Sequence, residues 1–337
     1  MSGTVLVTTP LPEPGMRLLR DAGEVVVAER APSAAELREA CASGRYDVVV
    51  AQLTDVFDEQ LLATASIRGV ANYAVGHDNV DVPAATRRGV LVANTPGVLT
   101  EATADLAMLL ILATARRCVE ADAFVRAGRF RGWQPELLLG ADVTGAALGL
   151  AGFGRIARAT ATRALGFGMT VRYTARGGPV PDAELGPLAG RVRYVSWEEL
   201  VRESDFLSLH VPLTDDTRHL VDAAVLRAMK PTAYLINTAR GPIVDEKALV
   251  GALRDGVIAG AGLDVYELEP QLAEGLAQLP NTTLLPHVGS ATRPVRARMA
   301  ELCARNAVAM AAGQRPPHPV NPAAWDVTTG TGRQGPG

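Results

Sequence analysis

The chain has 337 residues, 48% hydrophobic and 20% charged, with a formal net charge of −3. This length exceeds what one hydrophobic core serves efficiently, so two domains are expected. The balance of charge speaks against a nucleic-acid or other polyanion partner, which selects a basic surface. Cys41, Cys118 and Cys303 are far apart in the sequence, fit no metal-ligand spacing and read as buried thiols in a reducing compartment, so no metal is expected and a cytoplasmic location is.

The N-terminal MSGTVLVTTPLP has no basic start, and its apolar run is only strand-length, so no signal peptide is expected. VLV (5–7), VVV (25–27), DVVVA (47–51) and GVANYA (69–74) read as buried parallel strands, with amphipathic segments such as AAELREACAS between them. Thr100 is placed to cap a long apolar helix running from Glu101 to about Ala127; its LAMLLILATA stretch (106–115) is too short to span a bilayer, and no membrane partner is expected. A second strand series follows: ALGLAG (147–152), MTVRY (169–173), DFLSLH (205–210), AYLINT (233–238) and GAGLDV (260–265). Ser196-Trp-Glu-Glu199 is a capping-box pattern, and Thr292 is placed to cap a last long helix near 293–312. The fold class is α/β, with two doubly wound parallel-sheet domains.

ALGL leads into Gly152-Phe-Gly154-Arg-Ile-Ala157, with a helical pattern after it. Gly152 allows a tight turn, and Gly154 lets the backbone approach a pyrophosphate at a helix N-terminus, where free N–H groups and the dipole favour anions. Ala157 is small enough for the helix to pack on the strand. About twenty residues on, the tip of the second strand should carry an acid for a ribose 2′-hydroxyl. It carries Ala175 and Arg176 instead.

NYAVGHDNVDVPAATRRGV, NTPGVLTEATADLA, LGLAGFGRIA, INTARGPIVDEKAL, AGLDVYELEP and LLPHVGSAT together resemble the D-isomer-specific 2-hydroxyacid dehydrogenases over residues 1 to about 322. WQPELLLGADVTGAALGLAGFGRIA is similar to the glyoxylate and hydroxypyruvate reductase branch. The resemblance implies a discontinuous flavodoxin-like substrate domain (1–98 and 287–322) and a Rossmann-type dinucleotide domain (99–286); residues 323–337 are expected to be a disordered tail.

It further implies Arg240, Glu269 and His287 as catalytic residues, with Glu267 a close competitor for the acid. A histidinium can give a proton to the carbonyl oxygen of a 2-keto acid during hydride delivery, and a carboxylate keeps it protonated and oriented. A guanidinium can hold the substrate carboxylate and polarise the carbonyl, so Arg240 and His287 also count as substrate-binding. The resemblance adds Leu53, Val75 and Gly76 as substrate contacts. It gives Thr103, Gly152, Gly154, Arg155, Ile156, Pro212, Thr217, Thr238, Asp264 and Gly289 as cofactor contacts, with Asp264 accepting from the nicotinamide amide. Trp133 lies on a segment that relatives use for dimer contact, so a homodimer is expected; His77, His210, His219 and His318 read as structural or surface groups.

With the acid missing at Ala175 and a cation at Arg176, NADP(H) is expected to be preferred, with NAD(H) also usable. The expected activity is reduction of a small 2-keto acid such as glyoxylate or hydroxypyruvate, giving the D-isomer where chiral. Two alternatives stay open at this point. ADAFVRAGRFRGWQP also resembles phosphite dehydrogenases, which carry a lysine where this chain has Val75, and a phosphonate-bearing substrate is compatible. C-terminal-binding-protein corepressors, which are NAD(H)-sensing binding modules, keep the same catalytic set.

Overall fold

The computed structural model of the chain describes residues 3–329. It divides into two compact units, with breaks between Leu99 and Thr100 and between Ser290 and Ala291, so the first unit takes residues from both ends of the sequence.

The first unit holds β1 (Val5–Val7), β2 (Val25–Val27), β3 (Val48–Ala51), β4 (Gly69–Asn72) and β5 (Leu91–Ala93). They form one parallel sheet in the order β2-β1-β3-β4-β5, the flavodoxin-like order. Side chains alternate across a strand. Val48 and Val50 therefore enter the core under helix Arg293–Ala311, while Val49 and Ala51 enter the core on the other face. Both faces of the inner strands are covered, which is why they read as unbroken apolar runs; β2, expected to be buried, lies at the sheet edge and is only partly so, with Val27 exposed. Thr292 caps the terminal helix by accepting from the Val295 N–H at 3.3 Å. Helix Glu13–Ala22 lies so close to it that a Cβ on Gly15 would sit 2.7 Å from the Ala300 carbonyl oxygen.

The second unit holds β6 (Ala147–Ala151), β7 (Thr170–Thr174), β8 (Val192–Tyr194), β9 (Phe206–Leu209), β10 (Tyr234–Asn237), β11 (Gly260–Leu263) and β12 (Thr282–Leu284). All seven are parallel, in the order β12-β11-β10-β9-β6-β7-β8. The order reverses at β6, which has β7 on one side and β9 on the other. In such sheets the crevice at the carboxyl ends of the strands, at the reversal, is the ligand site.

β5, β8 and β12 have no counterpart among the strands expected from sequence. Each is three residues long and each lies at a sheet edge. β8 and β12 are only partly buried, so neither presents a continuous apolar run. The expected helix to about Ala127 is two helices, Thr100–Ala115 and Cys118–Arg126, and Thr100 is its first residue rather than its cap. Arg117 breaks it in a left-handed conformation, held by Glu120 and the Leu139 carbonyl. The Ala141 N–H donates to the Ala115 carbonyl at 2.9 Å and closes the helix end. Ser196 caps helix Trp197–Glu203 as expected, but the Glu199 side chain pairs with Arg193 at 2.8 Å instead of completing the box. Of the three cysteines, Cys41 and Cys303 are buried and Cys118 is exposed, because no residue of helix Cys118–Arg126 is buried.

Two boundaries differ from those expected. Residues 287–290 stay with the second unit, since the N–H groups of His287, Val288 and Gly289 all bond to Asp264. The expected disordered tail begins with a helix, Ala323–Thr329, with Ala324 buried; residues 330–337 lie outside the described residues. Asn321 fixes that helix to the sheet. It accepts from the Val92 N–H at 2.8 Å and donates to the Val90 carbonyl and the Thr86 hydroxyl, both at 3.0 Å. Asn321→Ala would leave the buried Val92 N–H unpaired, so a loss of about 1–3 kcal/mol is expected, read by chemical denaturation. Wild-type stability would contradict this anchoring.

Candidate active site

The glycine loop leaves β6 at its carboxyl end. Gly152 has φ 92, and a Cβ there would lie 2.8 Å from the His210 carbonyl oxygen, so only glycine fits. Phe153 is buried and stacks on Tyr173 at 3.8 Å, which fastens the loop to β7. Gly154 is different. Its φ is −77, and nothing lies within 4 Å of where a Cβ would stand. Helix Arg155–Gly166 begins there without a side-chain cap, leaving N–H groups of its first turn, including those of Arg155 and Ile156, for a ligand. The space a Cβ would fill, the uncapped helix start and the sheet reversal together fit a dinucleotide pyrophosphate. His210 adds no positive charge, because burial pulls its imidazole down to about 4. Its Nε2 lies 2.9 Å from the Ser208 hydroxyl.

Thr238, at the end of β10, gives a second sign of fit: its hydroxyl is buried with no hydrogen-bond partner among the described residues. At the end of β7, Ala175 is half-buried and Arg176 is exposed, with no ion pair among the described residues. Thr217 turns its hydroxyl inward to the Pro212 carbonyl at 2.7 Å, so this side chain braces its own loop. Pro212 is exposed.

Arg240, Glu269 and His287 come from the segments that leave β10, β11 and β12. His287 Nδ1 lies 2.8 Å from Glu269 Oε2, and Glu269 Oε1 accepts from the Tyr266 N–H at 3.0 Å. Burial pushes the Glu269 carboxyl up, but the bond and charge of His287, the Tyr266 N–H and the charge of Arg240 outweigh it and hold it below the usual range. Glu269 is therefore an anion at neutral pH. The competing Glu267 is engaged elsewhere: its Oε1 lies 2.6 Å from His219 Nε2.

Arg240 is placed by packing. Asn237 Nδ2 donates to the Arg240 carbonyl at 2.9 Å, and Arg240 Nη1 donates to the Ala239 carbonyl at 2.8 Å. A Cβ on the next residue, Gly241, would lie 1.8 Å from the Tyr266 carbonyl carbon. The absence of a side chain at Gly241 lets the Arg240 segment press onto the backbone that leads to Glu269.

Asp264 holds His287 from behind. Its backbone carbonyl accepts from the His287 N–H at 2.8 Å, and its carboxylate accepts from Val288 at 2.7 Å and Gly289 at 2.8 Å. Thr103, also buried, donates to the Gly289 carbonyl at 3.2 Å. His287 has φ 54, a conformation that side-chain-bearing residues rarely adopt. Thus Thr103, Asp264 and Gly289, expected to touch the cofactor, form a buried brace under the histidine. Burial, ahead of the N–H bonds that oppose it, raises the Asp264 carboxyl above the usual range. No sequence motif signals the contributions of Tyr266 and Gly241, which are made through backbone positions.

In the first unit, Val75 and Gly76 follow β4, and Leu53 follows β3. Asn94 and Asn72 side chains donate to the Val75 and Gly76 carbonyls, at 2.7 and 2.8 Å. The N–H groups of these two residues meet no acceptor among the described residues. Leu53 is half-buried.

Residues 108–289 match the family model described as D-isomer specific 2-hydroxyacid dehydrogenase, NAD binding domain. The chain is 48% identical to a glyoxylate reductase of Thermococcus litoralis, over 95% of this chain and 97% of that protein. It is similar to the crystal structure of a glyoxylate reductase from Paecilomyes thermophila, with 33% identity and TM-score 0.84, over 95% of this chain and 99% of that one. An NADPH-dependent glyoxylate/hydroxypyruvate reductase of Sinorhizobium meliloti, solved with NADP and malonate, has 36% identity and TM-score 0.83, over 96% of this chain and 98% of that one.

The contact at Gly241 is open to test. Gly241→Ala is expected to cost about 3 kcal/mol by overpacking and to lower turnover with it, because the Arg240 and Glu269 segments are forced apart. Unchanged melting and turnover would show that the two segments do not depend on this contact.

Proposed function

The chain belongs to the D-isomer-specific 2-hydroxyacid dehydrogenase family, and from that premise we propose that it reduces glyoxylate, hydroxypyruvate or a similarly small 2-keto acid with NAD(P)H. The product is the 2-hydroxy acid, the D-isomer where it is chiral. The observation that carries this reading is the imidazole of His287, bonded at 2.8 Å to an ionised Glu269 within the field of Arg240. The relatives described above are glyoxylate reductases, and neither phosphite oxidation nor a corepressor-like role is favoured by them.

In this reading His287 gives its proton to the carbonyl oxygen from Nε2, the ring nitrogen that Glu269 leaves free. Glu269 fixes the ring and stabilises its charged form. Arg240 holds the substrate carboxylate and polarises the carbonyl by charge-assisted bonds. The reduced nicotinamide supplies the hydride when bound. Gly152, Gly154, Arg155 and Ile156 would hold the pyrophosphate, and Thr238 and Pro212 would lie along the rest of the cofactor. The second unit acts as the dinucleotide domain. The first acts as the substrate domain, where Val75 and Gly76 present N–H groups suited to a carboxylate and Leu53 an apolar wall.

The tip of β7 favours NADP(H): Ala175 presents no charge to repel a 2′-phosphate, and Arg176 offers an exposed guanidinium to pair with it. NAD(H) remains usable through the backbone contacts. We further propose a cytoplasmic homodimer. Val119, Val125, Phe130, Trp133 and Leu139 are all more than half exposed on one stretch of the second unit, and Trp133 reaches 84%. Apolar groups concentrated in this way mark an association surface.

Three outcomes are expected. Mixing the protein with NADPH and glyoxylate should oxidise the cofactor; no oxidation with either glyoxylate or hydroxypyruvate would refute the reductase reading. Arg176→Ala should lower the kcat/KM ratio of NADPH over NADH by about tenfold or more, through loss of a charged phosphate contact; an unchanged ratio removes Arg176 from cofactor choice. Glu269→Gln removes the anion that stabilises the imidazolium, so the alkaline fall of kcat/KM for reduction should move about one unit to lower pH. A fall that stays in place would separate Glu269 from the proton donor.

A further inference from the structure

We propose that His219 is a positioning residue for the reduction: its pair with Glu267 fixes the loop that carries Glu269, and so the orientation of His287. The inference rests on the reading of His287 as proton donor.

His219 lies in the segment leaving β9, with φ 52. Two bonds hold it to the other site segments. Its N–H donates to the Pro242 carbonyl at 2.8 Å, two residues beyond Arg240, and its Nε2 meets Glu267 Oε1 at 2.6 Å. Glu267 is in turn locked to Glu246. Each donates its N–H to the other's carboxylate at 3.2 Å, and Glu246 also accepts from the Ala273 N–H at 2.8 Å. Glu246 is buried, and burial, only partly opposed by the Ala273 and Glu267 N–H groups, raises its carboxyl above the usual range. The loop from Glu267 to Ala273 is thus tied at both ends to the start of helix Glu246–Arg254, with Glu269 between the ties.

Three carboxyl groups, Glu246, Glu267 and Glu269, lie on these adjoining segments, with Asp264 behind them; the basic side chains among them are His219, His287 and Arg240. Glu267 and Glu269 are two residues apart; the Glu246 N–H holds only Oε2 of Glu267, so without His219 its Oε1 is left to compete for His287. His219 occupies that oxygen, which leaves Glu269 as the acid bonded to His287. The His219 and Glu267 side chains are 42% and 24% exposed, and so open a pair adds little to global stability. Its effect is on which acid meets which imidazole.

The test compares His219→Ala, His219→Gln and the double variant His219→Ala/Glu267→Gln with the wild type, using NADPH and glyoxylate. His219→Ala is expected to lower kcat about tenfold with KM within about twofold, as for a misplaced catalytic group. It should also move the alkaline limb of kcat/KM to higher pH, because the Glu267 carboxylate, no longer held by His219, can turn its Oε1 toward His287 and stabilise the imidazolium. His219→Gln, which keeps a donor for Glu267, should recover most of kcat, and the double variant should return the limb to its wild-type place. Wild-type kcat in His219→Ala overturns the proposal, and so does a kcat loss with an unmoved limb and no recovery in His219→Gln. If His219→Ala does not fold, His219→Gln and Glu267→Ala carry the test: the first keeps most of kcat and the wild-type limb, while the second, which cuts the tie to the loop, lowers kcat, and the reverse order overturns it. His287→Ala run alongside separates the two readings. Normal turnover in that variant refutes the proton donor itself; an inactive His287→Ala beside an unaffected His219→Ala refutes only the positioning role.

Discussion

Three consecutive N–H groups, those of His287, Val288 and Gly289, end on a single residue, Asp264. Backbone turned back so sharply is unfavourable for a histidine, whose φ of 54 falls where glycine is at ease. The three bonds hold that conformation in place. Thr103 closes the brace from the other side through Gly289, and the ring that results is aimed at Glu269. The rest of the site follows from this. Glu269, which meets the ring, also accepts the Tyr266 N–H, and a side chain on Gly241 would collide with the Tyr266 backbone.

Electrostatics and topology act together here. Parallel strands deliver their carboxyl ends to one edge, so Arg240, Asp264, Glu269 and His287 arrive from three neighbouring strands without any long excursion. Two of the acids then differ in environment. Asp264 is almost wholly buried and is pushed up by desolvation, whereas Glu269 is half-exposed and is held down by its partners. One serves as a backbone clamp and the other as a stable anion beside an imidazole. At the opposite end of the crevice the glycine loop offers space and free N–H groups, and burial keeps the neighbouring His210 neutral.

Much of this is legible in the amino-acid sequence, for physical reasons. Central strands announce themselves because both faces are buried. The edge strands Leu91–Ala93, Val192–Tyr194 and Thr282–Leu284 do not, being short and, in two cases, half-solvated, whereas Val25–Val27, as short and as open, is legible because all three of its residues are valine. The glycine loop is visible because Gly152 is a steric requirement of the fold, while Gly154 leaves open the space beside the helix start. The choice between Glu267 and Glu269 is not settled by spacing: both lie on one short loop, and only the coordinates show each with its own histidine. His219 reads as a structural or surface group because its partner lies 48 residues away. The role of Asp264 is equally hidden, since a strand-end carboxylate facing a cofactor and one facing its own backbone look the same in sequence.

Asp264 therefore gives the most direct test of how the site is held. An asparagine there can accept only one of the two N–H groups and turns its own NH₂ toward the other. Single-turnover oxidation of NADPH by glyoxylate in Asp264→Asn should slow about a hundredfold, with the Kd for NADPH within a few-fold of wild type, because His287 is displaced while the glycine loop is untouched. A wild-type rate, or a loss confined to NADPH affinity, would contradict this clamp.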